Sequence, residues 1–195
     1  MGPDASPRSR RLPQALERLK REGSAVMVAG PDEDAHRAAC EKLLGGHGDG
    51  RHRVVVGTHS HHEFAAGADD RTVVVDESKS VQALGTSVVA AVDDLEGAVG
   101  GLEPGSLRVC VDALDGLVRT HGTEATFRLA HVLNTRTRRA AGMAHCHLTA
   151  RPDTETAMLL EPLFDAILEV RTTGEGYLQR WDLPDAGLES DWIAL

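Results

Sequence analysis

A short apolar strand that ends at a glycine and leads into a helix constrains this chain more than any other feature. The strand is predicted at Ser24–Ala29, where nearly every residue is apolar, and Gly30 follows it directly. A strand that is apolar on both faces is typical of a parallel sheet covered by helices. Residues 32–44 have a helical pattern and end before the pair Gly45-Gly46. This strand–glycine–helix unit predicts an α/β fold.

The loop after this strand has the layout of a phosphate-binding loop without its chemistry. That motif is G-x-x-x-x-G-K-[ST], in which backbone amides and a lysine hold the phosphates and a hydroxyl holds magnesium. Counted from Gly30, this chain has Ala35 at the second glycine, His36 at the lysine and Arg37 at the hydroxyl position. The residues between include three acids, Asp32, Glu33 and Asp34. Their negative charge suits a helix N-terminus but would repel a phosphate there.

The charge of the chain argues against direct nucleic-acid binding. Its 195 residues include 30 acidic and 21 basic side chains, which gives a formal net charge of -9. Nucleic-acid binding needs a basic surface. Only three of the basic residues are lysines, and this acidic, lysine-poor composition is compatible with a high-GC genome and a salty cytoplasm.

The apolar segments and the cysteines predict a cytoplasmic protein. No run approaches the roughly 20 apolar residues of a membrane span, and the start of the chain lacks the apolar core of a secretory signal. Cys40, Cys110 and Cys146 are scattered along the chain without a C-x-x-C pair. We therefore expect them to be small buried hydrophobic residues in a reducing compartment.

The pattern of the whole chain predicts one domain after a short tail. Residues 1–11 are expected to form a disordered tail, and residues 12–195, which show no repeat or linker, one domain. The predicted strands are 24–29, 53–57, 71–76, 106–112, 143–149, 164–171 and 176–183; the predicted helices are one from residue 12, then 32–44, 87–99, 123–139 and about 153–160. Their alternation predicts a mostly parallel sheet between helices, and the last two strands an antiparallel hairpin at its edge.

Three further stretches carry a resemblance to a known family. Residues 107–114 form an apolar run ending in Asp112, followed by a small residue and a leucine; residues 145–149 and 164–171 form two later strands. Together with the strand and glycine at 24–30, they resemble the core of RecA/KaiC-type P-loop ATPases over about residues 12–183. The resemblance implies a RecA/KaiC-like sheet between helices, with Asp112 at the Walker B position that organises magnesium.

Four short motifs carry a narrower resemblance. They are Pro-Asp-x-Asp-Ala-His-Arg-x-Ala-Cys from residue 31, Leu-Arg-Val-Cys-Val-Asp from 107, Pro-Leu-Phe-Asp-Ala from 162 and the terminal Ser-Asp-Trp-Ile-Ala-Leu. In these the chain resembles uncharacterised HTR-like proteins of halophilic archaea, which share the RecA-like outline without a working phosphate loop. The resemblance implies a non-catalytic module, a pseudo-ATPase, that contacts an unidentified protein partner in signalling or regulation. Oligomerisation stays open.

Residual nucleotide binding is the alternative hypothesis, and it rests on Gly30, His36, Arg37 and Asp112. If the last three side chains converge on one ligand, the chain binds ATP and magnesium through an altered loop. Otherwise Asp32 is the cap of the helix and Asp112 supports the element that follows it. Because phosphoryl transfer depends on the missing positive charge, we expect no catalytic residue and no cofactor.

The histidines suggest a metal hypothesis. His59, His61 and His62 lie close together after the second strand, whereas His145 and His147 share one face of a later strand. Two or three imidazoles with a carboxylate are a zinc-binding set. Nothing in the sequence shows that the two groups meet, so we expect loop and core histidines and no metal.

Overall fold

Apolar strands alternate with helices in the computed structural model, which describes residues 7–46, 49–57, 70–76, 78–112 and 114–195. The elements are α1 (Pro7–Glu22), β1 (Ser24–Ala29), α2 (Glu33–Leu44), β2 (His52–Gly57), β3 (Arg71–Val74), α3 (Val81–Val99), β4 (Leu107–Val111), α4 (Leu114–His121), α5 (Thr123–Arg139), β5 (Met143–Leu148), α6 (Glu155–Leu160), β6 (Ala166–Thr173), β7 (Gly176–Leu183), β8 (Leu188–Glu189) and β9 (Ile193–Ala194).

These strands form one mixed sheet in the order β3-β2-β4-β5-β1-β6-β7-β8, and β9 pairs with the same strand, β7, as β8 does. The strands from β3 to β6 in this order are parallel, whereas β7 runs antiparallel to β6. The predicted α/β class, the mostly parallel sheet and the C-terminal hairpin are therefore confirmed. β1 is central, between β5 and β6, and is buried along its whole length.

The two faces of the sheet have separate cores because side chains alternate along each strand. On one face, Met27 of β1 and Cys146 of β5 belong to a large apolar core with α3, α4 and α5. On the other face, Val26 and Val28 pack with α1 and with Ala35 and Ala39 of α2. None of the helices in the described part of the chain combines the length and apolar character needed to cross a membrane.

Two helices begin earlier than predicted. α1 begins at Pro7, so residues 7–11 of the predicted tail are helical, while residues 1–6 lie outside the described part of the chain. Proline favours the first turn of a helix, which is why Pro13 suggested a start near residue 12. α3 begins at Val81 instead of residue 87, because the Ser80 hydroxyl accepts a hydrogen bond from the Ala83 amide and caps the helix there.

The short helix α4 was not predicted at all. Its eight residues follow β4 almost directly and end just before Gly122. Only Leu114 and Leu117 are fully buried, so the helical periodicity extends over a single turn and gives too little signal in the sequence. The helix after it, α5, has the predicted bounds Thr123–Arg139.

One carboxylate joins β1, α5 and the start of β6. Asp165 Oδ2 accepts hydrogen bonds from the Ala25 amide at 2.7 Å and from Arg138 Nη2 and Nε at 2.8 and 3.0 Å. The Asp165 amide in turn donates to the Ala25 carbonyl at 2.9 Å, and Arg138 Nη2 also donates to the Leu163 carbonyl. These bonds fix the point at which β6 joins the central strand.

We expect Asp165→Ala to lower the free energy of unfolding by about 2–3 kcal/mol, because the Ala25 amide and the Arg138 guanidinium both lose their acceptor. Urea denaturation followed by circular dichroism measures this change. The control is Glu124→Gln, which removes an exposed ion pair with Arg128 and should cost less than about 0.5 kcal/mol. Equal effects of the two substitutions would contradict the structural role of Asp165.

Candidate functional site

The glycine after β1 is required by packing. Gly30 has a φ of 155°, and a Cβ built on it would lie 2.2 Å from the Val170 carbonyl oxygen of β6. No other residue type fits so close to a neighbouring backbone. The glycine that suggested a phosphate loop therefore has a structural reason that is independent of any ligand.

The first turn of α2 is capped by the chain itself. Asp32 Oδ1 accepts hydrogen bonds from the amides of Asp34 and Ala35, at 3.1 and 3.2 Å. The interpretation of Asp32 as the helix cap is thus confirmed. A hydrogen bond from the Thr172 side chain, followed by these amides, lowers the pKa of Asp32, so its carboxylate is charged at neutral pH. Two amides that could hold a phosphate already hold this negative group.

Two of the candidate nucleotide-binding residues, His36 and Arg37, point in different directions. His36 is 4% exposed and turns inward, with Nε2 2.8 Å from the Gly30 carbonyl oxygen. The Arg37 side chain turns to solvent, where its closest carboxylate is Asp34 at 4.0 Å. Asp112 follows β4 directly and is partly buried, and its amide donates to the Val56 carbonyl. The structure thus joins His36 to Gly30 and separates both from Arg37.

A group of four buried side chains lies beneath α2, and we call Cys40, Cys110, His145 and His147 the Cys/His cluster. One potential ligand atom from each residue lies within 4.8 Å of those of the other three. Cys40 is one helical turn after His36 on α2, and Cys110 is the direct register partner of His145 across β4 and β5. His147 projects from the same face of β5 as His145, as the sequence predicted.

The distances within the Cys/His cluster are short. Cys40 Sγ lies 3.4 Å from Cys110 Sγ and 3.5 Å from His145 Nε2. Two ring nitrogens, His145 Nδ1 and His147 Nε2, are buried without a hydrogen-bond partner among the described residues. Buried polar atoms without a partner are rare and costly, so a pair of them in one cluster needs a physical explanation.

A chain of hydrogen bonds orients the His147 ring. Because the Gly30 carbonyl can only accept, His36 Nε2 carries the proton in that bond. Burial, and then the proximity of His147, lowers the pKa of His36 to about 4, so the ring is neutral and its Nδ1 accepts. His147 Nδ1 lies 2.9 Å from that atom and therefore donates to it. His147 Nε2 is left as the nitrogen that faces the cluster.

The pKa values of the two cluster cysteines are shifted in opposite directions. The hydrogen bond from Cys110 lowers the pKa of the Cys40 thiol, and the same contact together with burial raises the pKa of Cys110. Burial lowers the pKa of His147, but the Cys40 sulfur, together with Asp112 and Asp115, outweighs it and raises that pKa. Of the two sulfurs, Cys40 is therefore the one whose thiol loses its proton more readily.

The remaining cysteine does not belong to the cluster. Cys146 lies between the two histidines in sequence but faces the opposite core of the sheet. Burial there raises the pKa of its thiol to about 12, so it behaves as the small hydrophobic residue that was predicted. His59, His61 and His62, the other half of the metal hypothesis, lie outside the described residues.

Fold and site together define a mixed α/β protein with a buried Cys/His cluster beside a self-capped loop. The chain belongs to a family of unknown function (DUF7504), whose model matches residues 59–170. The matched region includes Cys110, His145 and His147, and Cys40 precedes it. A comparison with curated proteins found no match.

We expect Gly30→Ala to lower the free energy of unfolding by about 2–3 kcal/mol in the absence of any nucleotide, because the new Cβ would overlap the Val170 carbonyl. Gly46→Ala is the control, since a Cβ there meets nothing within 4 Å. Urea denaturation of both variants tests this. A Gly30→Ala protein as stable as the wild type would mean that β6 does not approach this closely.

Proposed function

We propose that the chain is a RecA/KaiC-like module without ATPase activity, which acts in the cytoplasm through protein–protein contact in signalling or regulation. The observation that carries this proposal is the occupied start of α2, where Asp32 caps the amides and His36 turns inward. A phosphate would have to displace the first group and would lack the cation that normally clamps it. In this proposal the loop keeps its place after β1, and its interior serves packing instead of phosphate binding.

The sheet supports the RecA/KaiC-like part of the proposal. β1, which has the layout of a phosphate-loop strand, and β4, which ends at Asp112, are separated only by β5. Because all three strands are parallel, their carboxyl ends lie at one edge, where open α/β sheets bind ligands. In this chain the helix that begins at that edge, α2, is capped by Asp32, and the Cys/His cluster lies beneath the same helix.

Exposed apolar side chains support a role in protein contact. Met158 and Leu159 of α6 are 55% and 52% exposed, and Val132 of α5 is 46% exposed. α5 and α6 contact each other on the same side of the sheet. We take these exposed apolar groups on two neighbouring helices as the proposed contact surface, since exposed apolar patches mark sites of protein contact. A second copy of the chain would satisfy the same surface.

We expect ATP with magnesium to leave the protein unchanged. Calorimetric titration in molar potassium chloride should give no heat of binding, and the thermal midpoint should not move at millimolar nucleotide. A real site would show itself, because stabilisation grows with ligand concentration relative to Kd and amounts to about 2.7 kcal/mol at 100 times Kd.

The same titration is repeated with the Asp112→Ala and Arg37→Ala variants. Binding to the wild type that either substitution removes would refute the proposal and make the chain a nucleotide-binding protein with an altered loop. Binding that survives both would place the nucleotide elsewhere on the molecule and would equally contradict a pseudo-ATPase without a ligand.

The exposed apolar side chains of α5 and α6 form the proposed contact surface, which we call the α5–α6 surface. It is tested by placing a photo-crosslinking amino acid at Leu159 and expressing the protein in its native host. We expect it to capture one defined protein or a second copy of the chain. The control is the same group at Lys42, an exposed position on α2 across the sheet from α6. Identical cross-linked products from both positions would contradict a specific role of the α5–α6 surface.

A further inference from the structure

We propose that Cys40, Cys110, His145 and His147 bind one zinc ion in a closed structural site that fastens α2 to the sheet. The inference rests on the geometry of the Cys/His cluster and is independent of whether the module contacts a partner or a nucleotide. It assigns to these four residues a role that neither the family match nor the proposed function gives them.

The donor set and its spacing fit a tetrahedral zinc ion. With bonds of about 2.3 Å to sulfur and about 2.0–2.1 Å to nitrogen, tetrahedral zinc holds two sulfurs about 3.8 Å apart and a sulfur and a nitrogen about 3.6 Å apart. The observed separations are 3.4 Å between Cys40 and Cys110 and 3.5 Å between Cys40 and His145. Small side-chain movements are enough to admit the ion.

The orientation of the His147 ring supplies the second argument. His147 Nδ1 is engaged by His36, and its Nε2 is buried without a partner among the described residues. Metal-bound histidines characteristically use one ring nitrogen for the metal and hydrogen-bond the other to a neighbouring group. His36 is therefore a positioning residue, because it holds the ring of a ligand without touching the ion itself.

Charge and burial favour zinc over the harder cations. Two thiolates neutralise a divalent ion, so the loaded site carries no net charge into the core, where an unpaired charge would be expensive. Calcium and magnesium require oxygen ligands, which the cluster does not offer, whereas two sulfurs and two nitrogens are a common structural zinc set. All four ligand residues are buried, so no coordination position opens to solvent and the site is structural rather than catalytic.

Zinc binding at this site is an exchange of ions without redox chemistry. The ion forms bonds to both sulfurs and to both imidazoles, and the thiol protons, together with any proton on His147, leave to the buffer. Because the ligands come from α2, β4 and β5, the bound ion adds a link between a helix and two strands that are far apart in sequence.

The test uses the full chain without an affinity tag, kept reduced throughout. We expect elemental analysis of the protein as isolated to give one zinc per chain. After removal of the metal with a chelator, titration with Co²⁺ should give the intense visible absorption of a tetrahedral site and the ultraviolet charge-transfer band of thiolate ligands. Excess Zn²⁺ should abolish both signals. The zinc-loaded protein should have a thermal midpoint several degrees above that of the metal-free protein.

Matched cysteine variants locate the site. Cys110→Ala should remove stoichiometric binding, whereas Cys146→Ala should keep one metal per chain, because Cys146 is equally buried but faces the other core. Loss of metal in both variants, or in neither, would overturn the assignment. If Cys110→Ala does not fold, the wild-type spectrum decides: a cobalt complex without thiolate charge transfer would refute the site.

His36→Phe tests the positioning residue, since phenylalanine keeps a ring but has no nitrogen. We expect it to retain one metal per chain with affinity about 10–100-fold weaker, as found when the outer partner of a metal ligand is removed. Unchanged affinity would show that His36 does not orient His147.

Counting the free thiols distinguishes a zinc site from a disulfide between Cys40 and Cys110. A second preparation, purified without reductant, should release three free thiols per chain when it is unfolded. A single thiol, from Cys146, together with no bound metal, would show that Cys40 and Cys110 form a disulfide and would overturn the proposal.

Discussion

The hydrogen bond between His36 Nδ1 and His147 Nδ1 joins α2 to the central part of the sheet. The positions of the loop after β1 and of the Cys/His cluster depend on it. Through its other nitrogen, His36 holds the turn at Gly30, and His147 lies on β5, at the centre of the sheet. Apart from these polar contacts, α2 buries mainly small residues such as Ala35 and Ala39. Because unpaired buried polar groups are costly, the bond between the two histidines gives the helix one position over the sheet.

The loop after β1 shows how a motif can persist for reasons other than its usual chemistry. Gly30 is required by the close backbone of β6, Asp32 by the free amides of α2, and His36 by its two hydrogen bonds. Gly30 and His36, two of the residues that give the stretch its phosphate-loop layout, therefore have structural partners within the chain, whereas Arg37 lies in solvent. The proposed loss of nucleotide chemistry follows from the same contacts, since they occupy the groups that a phosphate would use.

Much of the fold could be predicted from the sequence, because periodicity and glycines mark β1, α5 and the terminal hairpin within a residue or two. The cluster could not be predicted. The spacing of His36 and Cys40 on one helix face and of His145 and His147 on one strand face was visible in the sequence. Their meeting with Cys110 depends on the pairing of β4 with β5 and on the placement of α2, which arise only from tertiary packing. The metal hypothesis named both histidines of the cluster, His145 and His147, but neither of its cysteines.

X-ray absorption at the zinc edge of the untagged protein tests this account most directly, because it reports the ligand atoms themselves. The account predicts about two sulfurs at about 2.3 Å and two nitrogens at about 2.0–2.1 Å from the zinc. Zinc surrounded only by nitrogen or oxygen, or a reduced and folded protein that takes up no zinc, would contradict it. In that case the buried Nε2 of His147 would need another explanation.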